Sequence, residues 1–420
     1  MNNVEHWLTS NSICSAIVPK PIGHTFHTIF DMLRLYSEFS RIAIAFLIRH
    51  TNDICVTQRV KRVDDLSGSV RSDWYTQWFA QQIRREMALK WGIVSVGLIS
   101  QDFANAVNTL NAVDHKLVAV AARDLARAEK FAEKFGVSKA YSSYLELAQD
   151  PNVEIAYVGT LNPWHYEVSV LMLEHGKHVL CEKPLCMNFK QSEKLIALAK
   201  AKGVFFMEGL WCRFFPAYQH VRKEIRSGVL GDILSVEAEF GIKDLKEVAR
   251  LSKKAMGGGT ILDMGVYTIQ ACQWVLEKEP ISIKAKGILN EEGVDLEMSA
   301  DLDYGDGKKV QIKTSALNQL SNAVKIVGTK GKITINEIFC STRIIDIDGK
   351  EKHWPLPPAK YDFYYPNSCG LRYEADEIRK AIRAGKKEHE NAPHTDSLGI
   401  ARVQDELRRQ LGVHYEGHDD

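Results

Sequence analysis

From Met87 onward, short apolar segments alternate with stretches of helical periodicity, and this rhythm restricts the chain to one class of fold. Trp91–Val96 reads as an apolar strand, followed by a helix over about Asp102–Leu110. Leu117–Ala122 is a second strand; Asp124 stands where it caps the next helix and Gly136 where it ends it. Ile155–Gly159, His178–Glu182 and Val204–Glu208 are further strands, with helices near His165–Glu174 and Gln191–Ala201 between them. Strands so nearly continuous in hydrophobic residues are buried on both faces, as in a parallel, doubly wound α/β sheet.

Beyond Glu208 the pattern changes. A helix over Pro216–Ser227 precedes a strand at Ile233–Phe240, and Gly257-Gly258-Gly259 opens a helix over Asp263–Leu276. Ile281–Ile288, Leu296–Leu302, Val310–Ala316, Ala323–Val327 and Lys332–Asn336 alternate apolar with polar, which predicts a mostly antiparallel open sheet in an α+β domain. Amphipathic helices over Arg372–Arg383 and Leu398–Leu411 close the chain, and Trp354–Pro358 reads as a loop. The expected domains are thus 87–208 for the dinucleotide and 209–420 for substrate. Residues 1–86 hold no period for long and read as a poorly ordered extension with Met87 as the functional start; a helical appendage is the alternative.

Composition narrows the function. A formal charge of +1 and 25% charged residues supply no field to attract nucleic acid or anionic lipid. The apolar run Ile42–Ile48 is far short of the roughly 20 residues a membrane span needs, so a soluble protein is expected. The eight cysteines are scattered without a Cys-x-x-Cys pair, so neither a zinc site nor a disulfide framework is expected, and a cytoplasmic setting is the simplest account.

The first strand runs into Ser95-Val96-Gly97-Leu98-Ile99-Ser100. A dinucleotide-binding turn of Rossmann type asks for Gly-x-Gly-x-x-Gly there, and only Gly97 keeps its glycine. The second strand ends Ala121-Ala122-Arg123-Asp124, with Arg127 beyond. An acidic residue at this place holds the ribose hydroxyl of NAD, whereas arginines accommodate the 2′-phosphate of NADP. Asp124 has a capping reason to be there, so Arg123 and Arg127, four apart, favour NADP.

Glu182-Lys183-Pro184, closing a strand, and Gly257-Gly258-Gly259-Thr260-Ile261-Leu262-Asp263-Met264-Gly265-Val266-Tyr267 together resemble the glucose–fructose oxidoreductase and inositol dehydrogenase family. Within it, Trp91–Ser100, Ala121–Leu125, Trp211–Pro216 and Val327–Gly331 resemble the branch of dimeric dihydrodiol dehydrogenases, over nearly everything from Met87 onward. Ser95 and Tyr267 depart from the wider family, which has glycine and histidine at those places, but agree with this branch. The resemblance implies NADP-dependent oxidation of trans-dihydrodiols of aromatic hydrocarbons and of cyclic sugars such as D-xylose. A sugar or polyol dehydrogenase without dihydrodiol activity, and a catalytically silent NADP sensor, are the alternatives.

Hydride transfer from an alcohol needs a group to take the hydroxyl proton. Lys183 falls at the carboxyl end of a parallel strand, where such sheets bind ligands. Asp263 and Tyr267 are expected to share one helical face, with Tyr267 handling the proton, Lys183 lowering its pKa and Asp263 orienting the substrate. Ser95, Gly97, Leu98, Ile99, Arg123, Arg127, His165, Glu182 and Lys183 are the expected cofactor contacts, although a capping or core role fits His165 equally. Trp211 and Phe240 are the expected substrate wall, and a buried core role for Trp211 stays open. One uncovered sheet face over Ile281–Asn336, with the resemblance, implies a homodimer.

Overall fold

The computed structural model describes residues 88–420, so the expected extension 1–86 lies outside the described residues. The first half runs β1 (Leu89–Val94), α1 (Leu98–Val107), β2 (His115–Ala121), α2 (Leu125–Phe135), β3 (Lys139–Tyr141), α3 (Tyr144–Gln149), β4 (Ile155–Val158), α4 (His165–Glu174), β5 (His178–Cys181), α5 (Phe189–Lys202) and β6 (Phe206–Glu208). Its strands pair in parallel in the order β3-β2-β1-β4-β5-β6. Helices on both faces exclude water from Trp91, Ile93 and Val94 of β1 and from all of β4, which is why those segments carry almost no polar residue. The expected doubly wound sheet is present. Its strand order reverses between β1 and β4, and the crevice outside their carboxyl ends is where such sheets take ligands.

Local signals were uneven. Asp124 caps α2, accepting from the amides of Ala126 (3.0 Å) and Arg127 (3.4 Å), and Gly136 ends it at φ 72°. The first helix, however, begins at Leu98 rather than Asp102. Gly97 opens it with extended backbone and no side-chain cap, which leaves no capping signal to read. Asp102 lies buried inside α1 and accepts the backbone amides of Tyr364 and Tyr365 at 2.9 and 3.0 Å.

The second half contains α6 (Pro216–Arg226), β7 (Ile233–Gly241), α7 (Ala249–Ser252), a π-helical turn (Ile261–Gly265), α8 (Val266–Leu276), β8 (Ser282–Leu289), β9 (Asp295–Asp303), β10 (Lys309–Ser315), β11 (Val324–Gly328), β12 (Gly331–Ile335), β13 (Arg343–Ile345), β14 (Glu351–His353), α9 (Leu371–Arg383) and α10 (His394–Leu411). The strands form one sheet in the order β14-β13-β12-β11-β7-β10-β9-β8, antiparallel except where β7 meets β10. Helix α8 packs on β7 and β10, and α10 on β8, so this face holds the core. The opposite face is a ladder of polar cross-strand pairs: Gln311 to Asp301 (2.6 Å), Lys313 to Glu239 (3.1 Å) and Lys325 to Glu237 (3.6 Å). The helix expected over Asp263–Leu276 is not one α-helix. Asp263 sits in the π-helical turn and Tyr267 in α8, a change of pitch that apolar spacing does not register.

Candidate active site

The turn after β1 replaces two of the three motif glycines by a different division of labour. Ser95 adopts the left-handed backbone that the first glycine would supply, with φ 80°, at a cost of order 1–3 kcal/mol. Ser100 fills the place of the third, where helix and strand must approach closely. The room comes from Gly159 after β4, since a Cβ there would lie 2.4 Å from Ser100 Oγ. Gly97 begins α1 without a side-chain cap, no acidic residue occupies the first turn, and Leu98 is 48% exposed. The amides at the start of α1 are thus left without a side-chain cap, which fits the pyrophosphate of a dinucleotide.

Arg123 precedes the cap and stands outside α2, so the two arginines, although four apart, do not share a helical face. Both guanidinium groups nevertheless act on the Tyr144 phenol, which also hydrogen-bonds Ser95. Burial raises the pKa of Tyr144, and the two arginines oppose it. A cleft of about 210 Å³ beside the turn is lined by Val96, Gln101, Arg127, Lys130, Phe131 and Lys134. Three cations around one hollow suit an anionic group.

Lys183 follows β5, and its peptide to Pro184 is cis. Its Nζ donates to Asp263 Oδ1 at 3.0 Å and to the Asp263 carbonyl at 2.9 Å. The same carboxylate oxygen accepts Arg250 Nη1 at 2.7 Å. Burial alone would raise the Asp263 carboxyl, but Lys183 and Arg250 overcome it and hold the group far below the usual carboxylate range. Asp263 is thus held ionised by its two cations, which makes it a poor proton acceptor.

Tyr267 lies beside this ion pair, with a geometry other than the one expected. Lys183 Nζ stands 4.9 Å from the centroid of the phenol ring, over its face. The hydroxyl instead accepts Trp211 Nε1 at 3.0 Å. Burial and the Glu182 charge push the phenol well above its ordinary value, against the Trp211 hydrogen bond. The phenol is thus raised and not lowered as expected, and the cation meets the ring and not the oxygen.

The remaining expected residues surround this centre. Glu182 is buried, accepts Tyr157 Oη at 2.7 Å and the Lys183 amide at 3.3 Å, and has its carboxyl raised by burial. His165 is 1% exposed, with Nδ1 2.7 Å from the Pro184 carbonyl and Nε2 3.1 Å from that of Thr160. Burial lowers its pKa, and the neutral ring has one N–H, so it donates to one of these two carbonyls and only packs against the other. Trp211 packs edge-on to Phe215 (5.3 Å) behind Tyr267, and Phe240 meets Tyr267 edge-on at 5.6 Å. Sequence reasoning missed Phe339, which stacks on Phe240 at 4.8 Å; Asn162, which bonds the Gly257 carbonyl at 3.0 Å; and Arg250, Tyr144 and Tyr365. Each comes from a segment without a motif.

Residues 89–210 match a model described as an oxidoreductase family with an NAD-binding Rossmann fold, and residues 218–334 match the GFO/IDH/MocA C-terminal domain. Trans-1,2-dihydrobenzene-1,2-diol dehydrogenase of Xenopus tropicalis is 42% identical over 330 residues, 78% of this chain and 100% of that protein. Among solved structures, levoglucosan dehydrogenase in complex with NADH and levoglucosan aligns with a TM-score of 0.67 at 19% identity, covering 78% of this chain and 98% of that one. The 3-ketoreductase KijD10 from Actinomadura kijaniata, in complex with NADP and TDP-benzene, gives 0.64 at 24% identity, covering 77% and 98%. These two share the fold and differ in cofactor. With both domains matched in chain order, and a relative aligned over its whole length, the chain belongs to the GFO/IDH/MocA oxidoreductase family.

Proposed function

We propose that the protein oxidises trans-dihydrodiols of aromatic hydrocarbons, and cyclic sugars such as D-xylose, with NADP as hydride acceptor. The observation that carries this reading is the Lys183–Asp263 ion pair set against Tyr267 at the carboxyl edge of the parallel sheet. Phe240, Phe339 and the Tyr267 ring form an aromatic enclosure suited to a flat cyclic diol. Arg123 and Arg127 near Tyr144 support the 2′-phosphate of NADP.

The nicotinamide ring, when bound, supplies the hydride acceptor. The protein's part is the proton. Lys183 and Tyr267 act as one unit that takes it from the substrate hydroxyl, while Asp263 orients the diol through its remaining acceptor capacity. Trp211 fixes the position of the phenol oxygen. Because burial keeps the Tyr267 phenol protonated, the unit takes the substrate proton only after releasing one to solvent, so oxidation is favoured as pH rises.

The open polar face of the second sheet supports a homodimer with two such faces packed across a two-fold axis. Free, buried Cys181, Cys186, Cys212, Cys272, Cys340 and Cys369 suit a reducing, cytoplasmic setting. Among the described residues no helix is long and apolar enough to cross a membrane.

A panel of trans-dihydrodiols and sugars, assayed with NADP and NAD for nicotinamide reduction, tests the substrate class. Turnover of sugars alone would remove the dihydrodiol assignment. Lys183→Met tests the chemistry: turnover should fall by about 10²–10⁴ with NADP still bound. Near wild-type turnover in that variant would overturn the proton-transfer assignment.

A further inference from the structure

The three consecutive glycines fasten helix α7 to the segment that carries Asp263. Gly258 N donates to the Lys253 carbonyl (3.1 Å) and Gly259 N to that of Leu251 (2.8 Å). Gly257 and Gly259 take φ of 66° and 112°, which side-chain-bearing residues avoid. A Cβ at Gly258 would stand 2.7 Å from the Leu251 carbonyl oxygen. This tight seam brings Arg250 of α7 onto Asp263. One carboxylate oxygen then serves two cations, Arg250 at 2.7 Å and Lys183 at 3.0 Å. The trio keeps one positive charge in excess.

We propose that Arg250 is a positioning residue of the proton-transfer unit, sharing the Asp263 carboxylate so that this one negative charge is divided between Arg250 and Lys183 beside Tyr267. The inference rests on the role given above to Lys183 and Tyr267. With Asp263 alone, Lys183 would form a neutral pair. A second cation on the same oxygen weakens that pairing and favours negative charge on the substrate oxygen. The other groups around Lys183 do not supply such a charge. Glu182 and Tyr267 are acids, and His165 is buried with its basicity depressed. Tyr365 is a further acid, acting on both Arg250 and Asp263. Arg250 is therefore the added cation of this cluster.

The test compares full-length wild type, Arg250→Gln and Arg250→Lys. In Arg250→Gln the proton-transfer limb of the kcat/KM profile should move up by about one pH unit, so that turnover below it falls about tenfold. Arg250→Lys should restore most of the profile, and KM for NADP should stay near wild type. A second measurement needs no turnover: the pH midpoint of Lys183 acylation, followed by mass spectrometry on cofactor-free protein, should rise in Arg250→Gln. Unmoved midpoints, or a loss that lysine does not restore, would overturn the proposal. Should Lys183→Met itself stay active with cofactor bound, the parent reading fails instead. An inactive Lys183→Met with unmoved midpoints in Arg250→Gln sinks this inference alone.

Discussion

Trp211 Nε1 donates to the hydroxyl of Tyr267 at 3.0 Å, and the two side chains are 3% and 6% exposed. The indole thus supports the phenol from behind. Trp211→Phe removes the donor and keeps the ring, a change of roughly 1 kcal/mol for one neutral hydrogen bond. We expect a several-fold loss in kcat, an upward move of the alkaline limb and little change in substrate KM. A rise in KM alone would instead make Trp211 a wall against which substrate stacks.

Cofactor choice should follow Arg123. Its guanidinium and that of Arg127 both act electrostatically on Tyr144, and a charge-assisted bond to a 2′-phosphate is worth roughly 1.5–3 kcal/mol. Arg123→Ala should weaken NADP by about tenfold or more and leave NAD nearly unchanged, as read by fluorescence titration of the two reduced cofactors. Equal weakening of both would remove the 2′-phosphate assignment.

Gly258→Ala should be felt far beyond one methyl. The added carbon meets the Leu251 carbonyl at 2.7 Å, and that is backbone, which has little freedom to yield. Overpacking of this kind costs roughly 1–3 kcal/mol. The melting temperature should drop, and kcat should fall because the seam between α7 and Asp263 opens. Wild-type melting and turnover would show that the segment adapts without effect.

Acid should weaken the first domain through Asp150. Its buried carboxylate accepts the Asn152 amide (2.9 Å), Lys139 Nζ (3.1 Å) and Tyr141 Oη (3.0 Å). Burial raises this carboxyl, but those donors outweigh it and bring it down to about 2. A depressed carboxylate stabilises the fold above its unfolded pKa, and the contribution is lost as pH falls through the folded value. The window is therefore pH 4 to 2, and the size about 2 kcal/mol. Asp150→Asn should destabilise at pH 7 and converge on wild type near pH 2; a constant difference across denaturation curves would contradict the linkage.

The parallel sheet was legible because burial on both faces writes itself as continuous apolar runs, as in Ile155–Val158. Lys183, Asp263 and Tyr267 stood out because they lie in motifs. Their mutual geometry did not, since whether an ammonium meets a phenol oxygen or a phenol ring depends on backbone pitch at Ile261–Gly265. Arg250 was hidden for a different reason. It lies in Lys243–Lys254, a stretch dense in charges where no single one stands out, and only the approach of α7 to the π-helical turn selects it. Phe339, in the turn between β12 and β13, likewise becomes part of the site only through the third dimension.

Gly159 faces Ser100 Oγ on one side and the ring of Tyr157 on the other, at 2.4 and 2.9 Å from where its Cβ would be. Tyr157 in turn donates to Glu182, whose other oxygen receives the Lys183 amide. The turn after β1 and Lys183, to which we assign the pyrophosphate and the proton, are thereby two ends of one mechanical linkage, with an omitted side chain as its bearing. A methyl inserted at that bearing would displace both ends together, so cofactor affinity and turnover are coupled at a residue that has no chemistry of its own.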